Sequence, residues 1–434
     1  LKVVQASVPQ QSVLFADLNS YADGVSKIMG MQERKSRFVD GSYFAAERQF
    51  VRMAHEHRAM FHFLGYRHDG RPIESFVPKL EGAGKSIRVK DWSQFDEHFG
   101  GYLDGSAFAG TKRGPIPIPY MYLPFNFNWP ADYAKFGLKG YRTEFAAIWQ
   151  EFHRHFTEKG WLRTKFELFL NQKKRFKLFP YDGEEPRFVW DEKVNDFYSD
   201  LTRPIMNGTE GAQFVFRTDS SWCYGLHYEK YGSIIKHWVV NEQIFSWFPE
   251  SVDALRAHGN TIWNYGSAQK IGSSLLGTVV SPLTAIARGI DGFVFWDTLS
   301  GGETWADTPY DEGSLAMFYP GNRLFGIQGP IPSLRLKILR NAMQVADCLE
   351  LWIRANPAAR RPAISASIEK LLGVRPGGWW PGKPDFLDKP PYEWVDAMLS
   401  VAPYALVDHS KPPEDFIDFA NEMWNTLERE EIPS

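Results

Sequence analysis

Two carboxylic acids stand side by side in "VWDEKVND": Asp191 and Glu192, directly after the strand-like run Phe188, Val189, Trp190 and before a polar, helix-capable stretch. Two roles fit that position. As a structural pair, Asp191 caps a helix by accepting backbone N–H bonds, and Glu192 occupies the first turn, where the helix dipole favours it. As a functional pair, neighbouring carboxyls discourage each other's ionisation, and an adjacent indole such as Trp190 desolvates one of them. One carboxyl then stays protonated to donate while the other is charged. Other acids also end strand-like runs. Glu242 in "VVNEQ" could serve as a nucleophile opposite Glu192 in a two-carboxylate retaining scheme, and Asp297 follows another Trp in "GFVFWDTLSGGETW". A hydrogen-bonding role is equally open to both.

Two further patterns carry less. "EGAGKS" (81–86) has Lys79 where a phosphate loop needs its first Gly, and no strand precedes it. His55 and His57 in "HEHR" are two apart at a helix end and share no face. With no carboxylate or third His at ligand spacing, neither a metal nor another cofactor is expected.

These acids need a scaffold that brings strand ends together. Strand-like runs fall at 12–21, 59–66, 118–126, 163–171, 187–192, 213–219, 234–242, 261–266 and 292–297, with helical patterns at 42–58, 144–160 and 333–356. Alternating strands and helices predict an α/β fold, a (β/α)₈ TIM-like barrel spanning 12–356. The runs exceed the eight places of a closed barrel by one, so 118–126 or 187–192 is expected outside it. Asn19, Asn171, Glu192, Asp219 and Asp297 end their runs, and carboxyl ends of barrel strands converge on the face that carries chemistry. The long insertion 67–118, with Trp92, Phe95, Phe99 and Tyr102, either walls that mouth or packs on the outside. Pro332 and Ser333 announce the long amphipathic helix, and 357–434 is a helical extension packed on the barrel.

Composition narrows the partner class. A chain of 434 residues that is 44% hydrophobic can bury a large core. A net charge of −3, from 49 basic and 52 acidic side chains with no like-charge block, argues against nucleic acid or an anionic membrane. No apolar run reaches the roughly 18 residues of a membrane helix. Sixteen Trp and 18 Tyr supply flat rings with polar edges, which suit a glycan, although most are expected in the core. Only Cys223 and Cys348 are present, and whether they pair is left open. The chain begins without Met and shows no signal peptide at Leu1; an upstream segment that was removed or left out, and a secreted or periplasmic location, are expected.

Three stretches together resemble the catalytic region of glycoside hydrolase family 123 and its related group: "VWDEKVND" (189–196), "FRTDSSW" (216–222), and the block from "WNYGS" (263–267) through "RGIDGFVFWD" (288–297) and "MFYPG" (317–321) to "SLRLKILRNAMQVADCLE" (333–350). "ADLNSY" (16–21) and "MAHEHR" (53–58) extend the similarity toward the amino terminus. The resemblance implies a (β/α)₈ barrel, preceded by a β-sandwich whose tail would be 1–11, that removes a β-linked N-acetylhexosamine, typically N-acetylgalactosamine. It implies substrate-assisted hydrolysis with retention, in which the sugar's 2-acetamido oxygen attacks the anomeric carbon. Asp191 would then stabilise the acetamido group and Glu192 would act as acid/base. Lys193 follows the pair where the resemblance implies Pro. In this reading Trp190, Trp296 and Trp305 stack on sugar, and Asn19, Tyr21, Arg217 and Asp219 bind hydroxyls, with Glu242 and Asp297 nearby. A carbohydrate-binding barrel without turnover is the alternative outside enzymes.

Overall fold

The structure is a computed structural model, described for residues 7–31, 41–64, 73–131, 140–171, 181–186, 191–206, 210–220, 224–241, 245, 250–267, 275–296, 298–299, 317–373 and 411–429. Strands β1 (Phe15–Leu18), β2 (Ser20–Tyr21), β3 (Phe63–Leu64), β4 (Lys79–Glu81), β5 (Arg88–Asp91), β6 (Tyr120–Tyr122), β7 (Lys165–Leu168), β8 (Gln213–Thr218), β9 (Ile235–Asn241), β10 (Thr261–Ser267) and β11 (Gly292–Trp296) alternate with helices in most of the chain. Seven of the strands form one parallel sheet in the order β1-β11-β10-β9-β8-β7-β6. On the far side of β1, residues 60–64 run parallel to it: Leu18 N donates to Met60 O (2.8 Å), Ser20 N to His62 O (3.0 Å), and β2 pairs with β3.

The fold is therefore α/β with a curled parallel sheet, and it departs from the expected closed barrel at one seam. Among the described residues no ladder joins 60–64 to β6. His62 instead stacks flat on Tyr122 across this seam, 3.7 Å between ring centroids. The seam is covered from outside by Phe99 of the insertion.

One strand alternative is decided and one strand end is corrected. The 118–126 run lies inside the sheet as β6, its prolines flanking the paired residues. Of the 187–192 run, residues 187–190 lie outside the described residues, and Glu192 begins helix α5 rather than ending a strand. The apolar spacing of Val194, Tyr198 and Leu201, all buried, outweighs the strand-like start.

Helices α1 (Ala22–Ile28), α2 (Gly41–Glu56), α3 (Ser93–Leu103), α4 (Tyr141–Glu158), α5 (Glu192–Thr202), α6 (Tyr224–Tyr231), α7 (Glu250–Ala257), α8 (Leu276–Arg288), α9 (Gly321–Phe325) and α10 (Leu334–Ala355) follow in turn. The period-2 alternation sorts each strand. Ala16, Leu18, Phe166 and Leu168 join the large core under the helices. Phe15, Met60, Tyr120, Val239, Trp263, Val294 and Tyr265 form a separate inner cluster within the curl. Gly292 fits that cluster because a Cβ there would lie 2.6 Å from Trp263 Cε2 and 2.8 Å from Phe15 O.

The insertion packs on the outside. Phe95, Phe99 and Tyr102 of α3 are buried in the helical layer, and Trp92 stacks on His155 of α4. The β4–β5 hairpin docks on α4 through Val89 N to Glu151. As expected, Ser333 caps α10 by accepting from Leu336 N (3.2 Å). Beyond it, α11 (Pro357–Leu372) packs on α8 and α10, and α12 (Pro413–Arg429) packs on α10 and α11. Cys348 is a buried free thiol, and Cys223 lies outside the described residues.

Candidate functional site

Within the curl, at the carboxyl side of the strands, inward-facing polar groups meet. Asp17 of β1 accepts from His62 Nδ1 at 2.9 Å, and His62 Nε2 stands 3.3 Å from Glu167 Oε2 of β7. The other Glu167 oxygen lies 2.6 Å from His237 Nδ1 of β9 and 3.5 Å from Arg217 Nη1 of β8. Arg217 turns its Nε and Nη2 toward Asp219, at 2.9 and 3.2 Å. The guanidinium carbon lies 4.7 Å from the Phe169 ring centroid and 5.1 Å from that of Tyr122. Only Asp219 has appreciable access to solvent among these charged groups, with 17% of its side chain exposed.

The electrostatics follow from burial and pairing. Burial opposes ionisation of Glu167, but Arg217 and His237 outweigh it and bring its carboxyl down to about 2. Burial pushes His237 down to about 4 against the pull of Glu167. At neutral pH that imidazole is uncharged, so the guanidinium is the main group holding Glu167 ionised. Burial also raises Asp17, with His62 partly offsetting it. Asp219 is lifted by burial to about 6 in spite of Arg217, and Glu185 and Glu167 add to the lift.

The network is incompletely satisfied. Asp17 Oδ1, Asn19 Oδ1 and both polar side-chain atoms of Asn171 are buried without hydrogen-bond partners among the described residues, and Glu167 Oε2 has the 3.3 Å approach of His62 Nε2 in place of a hydrogen bond. Buried polar atoms are paired in the great majority of proteins, so such a concentration at strand ends calls for a ligand, water or strain as its reason.

The acid pair lies beside this network. Asp191 precedes α5 in helical conformation, makes no side-chain cap bond, and is fully buried, its Oδ1 accepting from Asp182 N at 3.2 Å. Glu192 points elsewhere, to Lys230 Nζ at 3.0 Å and His227 Nε2 at 3.6 Å, with 18% of its side chain exposed. His227 Nδ1 in turn contacts Ser220 Oγ at 2.5 Å, one residue beyond Asp219. A second route runs through 181–186: Asp219 N donates to Glu184 O (2.8 Å), and Tyr265 OH donates to Glu185. Both routes tie the pair to the carboxyl ends of β8 and β10.

Of the residues singled out in sequence, the structure joins Asn19 to Tyr122 OH (3.3 Å), Tyr21 OH to Trp296 Nε1 (3.5 Å) and Arg217 to Asp219. Trp296 ends β11 with 37% exposure. Trp190, Glu242, Asp297 and Trp305 lie outside the described residues. Sequence reasoning missed Asp17, His62, Tyr122, Glu167 and His237. Their signal was available: "FADL" and "KFEL" each place a charge between apolar neighbours mid-strand, a pattern that costs stability without pairing.

No family model matches the chain, and no curated protein does. Among solved structures, the malate synthase of Haloferax volcanii in its magnesium/glyoxylate complex aligns at 11% identity over 91% of this chain and 100% of that one, with a TM-score of 0.30. Its lead(II) complex aligns at 11% identity over 91% and 99%, with a TM-score of 0.27.

Proposed function

We propose that this chain is a retaining glycoside hydrolase that removes a β-linked, N-acetylgalactosamine-like N-acetylhexosamine by substrate-assisted catalysis. Its scaffold is read as an eight-place (β/α)₈ barrel in which 60–64 holds the second place beside β1. The observation that carries the reading is the acid pair Asp191-Glu192 beside the carboxyl ends of a parallel sheet, with its two side chains diverging. Mouth indole Trp296 and the sequence resemblance support it.

In this reaction the 2-acetamido oxygen attacks the anomeric carbon while Glu192 gives its proton to the departing glycosidic oxygen. Asp191 accepts the acetamido N–H, which steadies the positive charge that develops on the oxazolinium ring. Water then adds at the anomeric carbon, its proton passes to the Glu192 carboxylate, and the ring opens to the retained sugar. Asp219 and Arg217 are placed to bind hydroxyls.

The test compares leaving groups. Glu192→Gln is expected to lower the rate by roughly 10²–10⁴ on a natural sugar leaving group and far less on a nitrophenyl glycoside. Asp191→Asn should harm both alike. Equal cleavage of 2-acetamido and 2-hydroxy glycosides, or trapping of Glu242 by a 2-fluoro sugar, selects the two-carboxylate mechanism instead. The Glu192–Lys230 ion pair favours a second reading, a carbohydrate-binding barrel without turnover. Binding on a glycan array with no hydrolysis across a broad substrate panel would select that one.

A further inference from the structure

The opposite, amino-terminal end of the sheet holds a cavity of about 610 Å³ lined by polar and apolar groups, within the range of small-molecule sites. Lys165 and Thr261 begin β7 and β10, each facing inward two residues before Glu167 and Trp263. The Lys165 ammonium donates to Thr261 Oγ1 at 3.4 Å and lies 5.5 Å from the Tyr120 ring centroid. Among the described residues no carboxylate stands within ion-pair distance of it. Burial accordingly draws its proton affinity below the usual lysine range, with Asp291 and Glu167 restoring only part. An ammonium so placed is short of an anion.

The cavity wall adds two more cations and one acid. Arg256 pairs with Asp291 (3.0 Å) and donates to Gly289 O (2.6 Å). Arg354 pairs with Glu350 (3.0 Å), which lies behind the wall and is shared with Arg361, and reaches Val13 O at 3.3 Å. Each guanidinium keeps further N–H donors after these bonds. Lys165, Arg256 and Arg354 come from β7, α7 and α10, so the positive charge lines the cavity from separate elements.

We propose that this cavity binds a tetrahedral oxyanion ester of a small sugar-sized molecule, a phosphate or a sulfate, with Lys165 as its charge partner. Cations on separate elements suit an anion that presents oxygens in several directions, whereas a planar carboxylate is satisfied by one fork. The volume exceeds what a bare inorganic anion fills, and the rings of Phe15 and Tyr120 give the remainder of the ligand an apolar wall. This site stands apart from the acid pair and does not depend on the chemistry proposed there.

The test is calorimetric titration of the whole chain at low ionic strength with a hexose 6-phosphate, a hexose 6-sulfate, the free hexose, inorganic phosphate and inorganic sulfate. One of the two esters should bind in the submillimolar range, and which one tells phosphate from sulfate. Lys165→Met, which keeps the stem over Tyr120 and deletes the charge, should weaken that ester at least about tenfold, as loss of a charged hydrogen-bond partner does. If Lys165→Met fails to fold, Arg354→Gln at the exposed rim makes the same comparison. Equal binding by the charge-deleted variant, binding of the free hexose as tight as its ester, or inorganic anions bound as tightly as the esters would overturn the proposal.

Discussion

Two buried ionic clusters, one at each end of the sheet, are built from similar residues and are satisfied very differently. At the amino-terminal end, Asp347 of α10 accepts Val13 N (2.8 Å) and Leu14 N (3.1 Å) on one oxygen and Arg58 Nε (2.8 Å) and Nη2 (2.5 Å) on the other. Arg58 also donates to Pro9 O, and Arg113 fastens Gln10 O and Ser12 Oγ. Every oxygen of Asp347 is used. At the carboxyl-terminal end, Asp17, Asn19 and Asn171 each leave at least one buried polar atom unpaired among the described residues. A saturated cluster fastens the chain segment leading into β1 to α2 and α10. An unsaturated one leaves polar atoms for a ligand or water to satisfy, or holds them at a cost in stability.

The largest expected effect tests the first half of that contrast. Asp347→Ala strands a buried guanidinium and two backbone N–H groups, so urea unfolding should report a loss of about 3–5 kcal/mol. A loss under about 1 kcal/mol would mean the fastening is not structural. The second half predicts the opposite at the mouth. Asp17→Asn exchanges a desolvated carboxylate for a neutral amide that can still accept from His62, and stability at neutral pH should be unchanged or rise by up to about 1 kcal/mol. Should it fall by as much as Asp347→Ala, the two clusters are the same kind of object.

What the sequence made legible divides along the same line. Ser333 and Pro332 mark the start of α10 because a cap is a local bond, and β8 and β9 were found because their alternation lies within one segment. Arg58 and Asp347 are 289 residues apart, and Asp17 meets Glu167 only through the His62 side chain at the seam. No spacing rule encodes such pairs. The acid pair was singled out for its carboxyls, and the first-turn place read for Glu192 is the one it takes. Aromatic and β-branched residues before Asp191 spoke for a strand, whereas the helical spacing after it decided the conformation. The insertion's rings were read as a possible wall, and their depth in the helical layer could not be seen without knowing that α3 covers the seam.

The next effect is a pH dependence with opposite signs. His55, near the Asp347 cluster and stacked on Phe108, is pushed down to about 3 by burial and then by Arg113, and His237 at the mouth to about 4. Each folded-state value lies below the unfolded 6.5, so the unfolded chain binds more protons, and stability present above 6.5 is lost as pH falls toward those values. Asp219 runs the other way. Raised from 3.8 to about 6, it favours the folded chain as pH falls through 6, by at most about 3 kcal/mol. From pH 7 to 5, therefore, His55→Phe should flatten the stability loss and Asp219→Asn should steepen it. Parallel curves for Asp219→Asn and the unmodified chain would show that Asp219 is not desolvated and does not belong to the mouth network.

The last effect is expected where the proposed function is most exposed. Trp296 ends β11 with 37% of its surface open, so Trp296→Ala removes less buried area than the loss of a core indole and should cost about 1–2 kcal/mol. If its indole is a sugar platform, the same change should weaken glycan binding by roughly three- to tenfold, the scale of one aromatic contact. Trp296→Phe separates the ring from its N–H: it keeps a stacking face and drops the 3.5 Å approach to Tyr21 OH, so it should retain most of the affinity. A stability loss above about 2 kcal/mol for Trp296→Ala would mark the indole as core and draw the mouth toward the saturated type of cluster. Normal stability with unaltered glycan affinity would leave the mouth unsaturated but would remove the sugar from it, since an exposed indole beside unpaired polar atoms would then serve some other ligand.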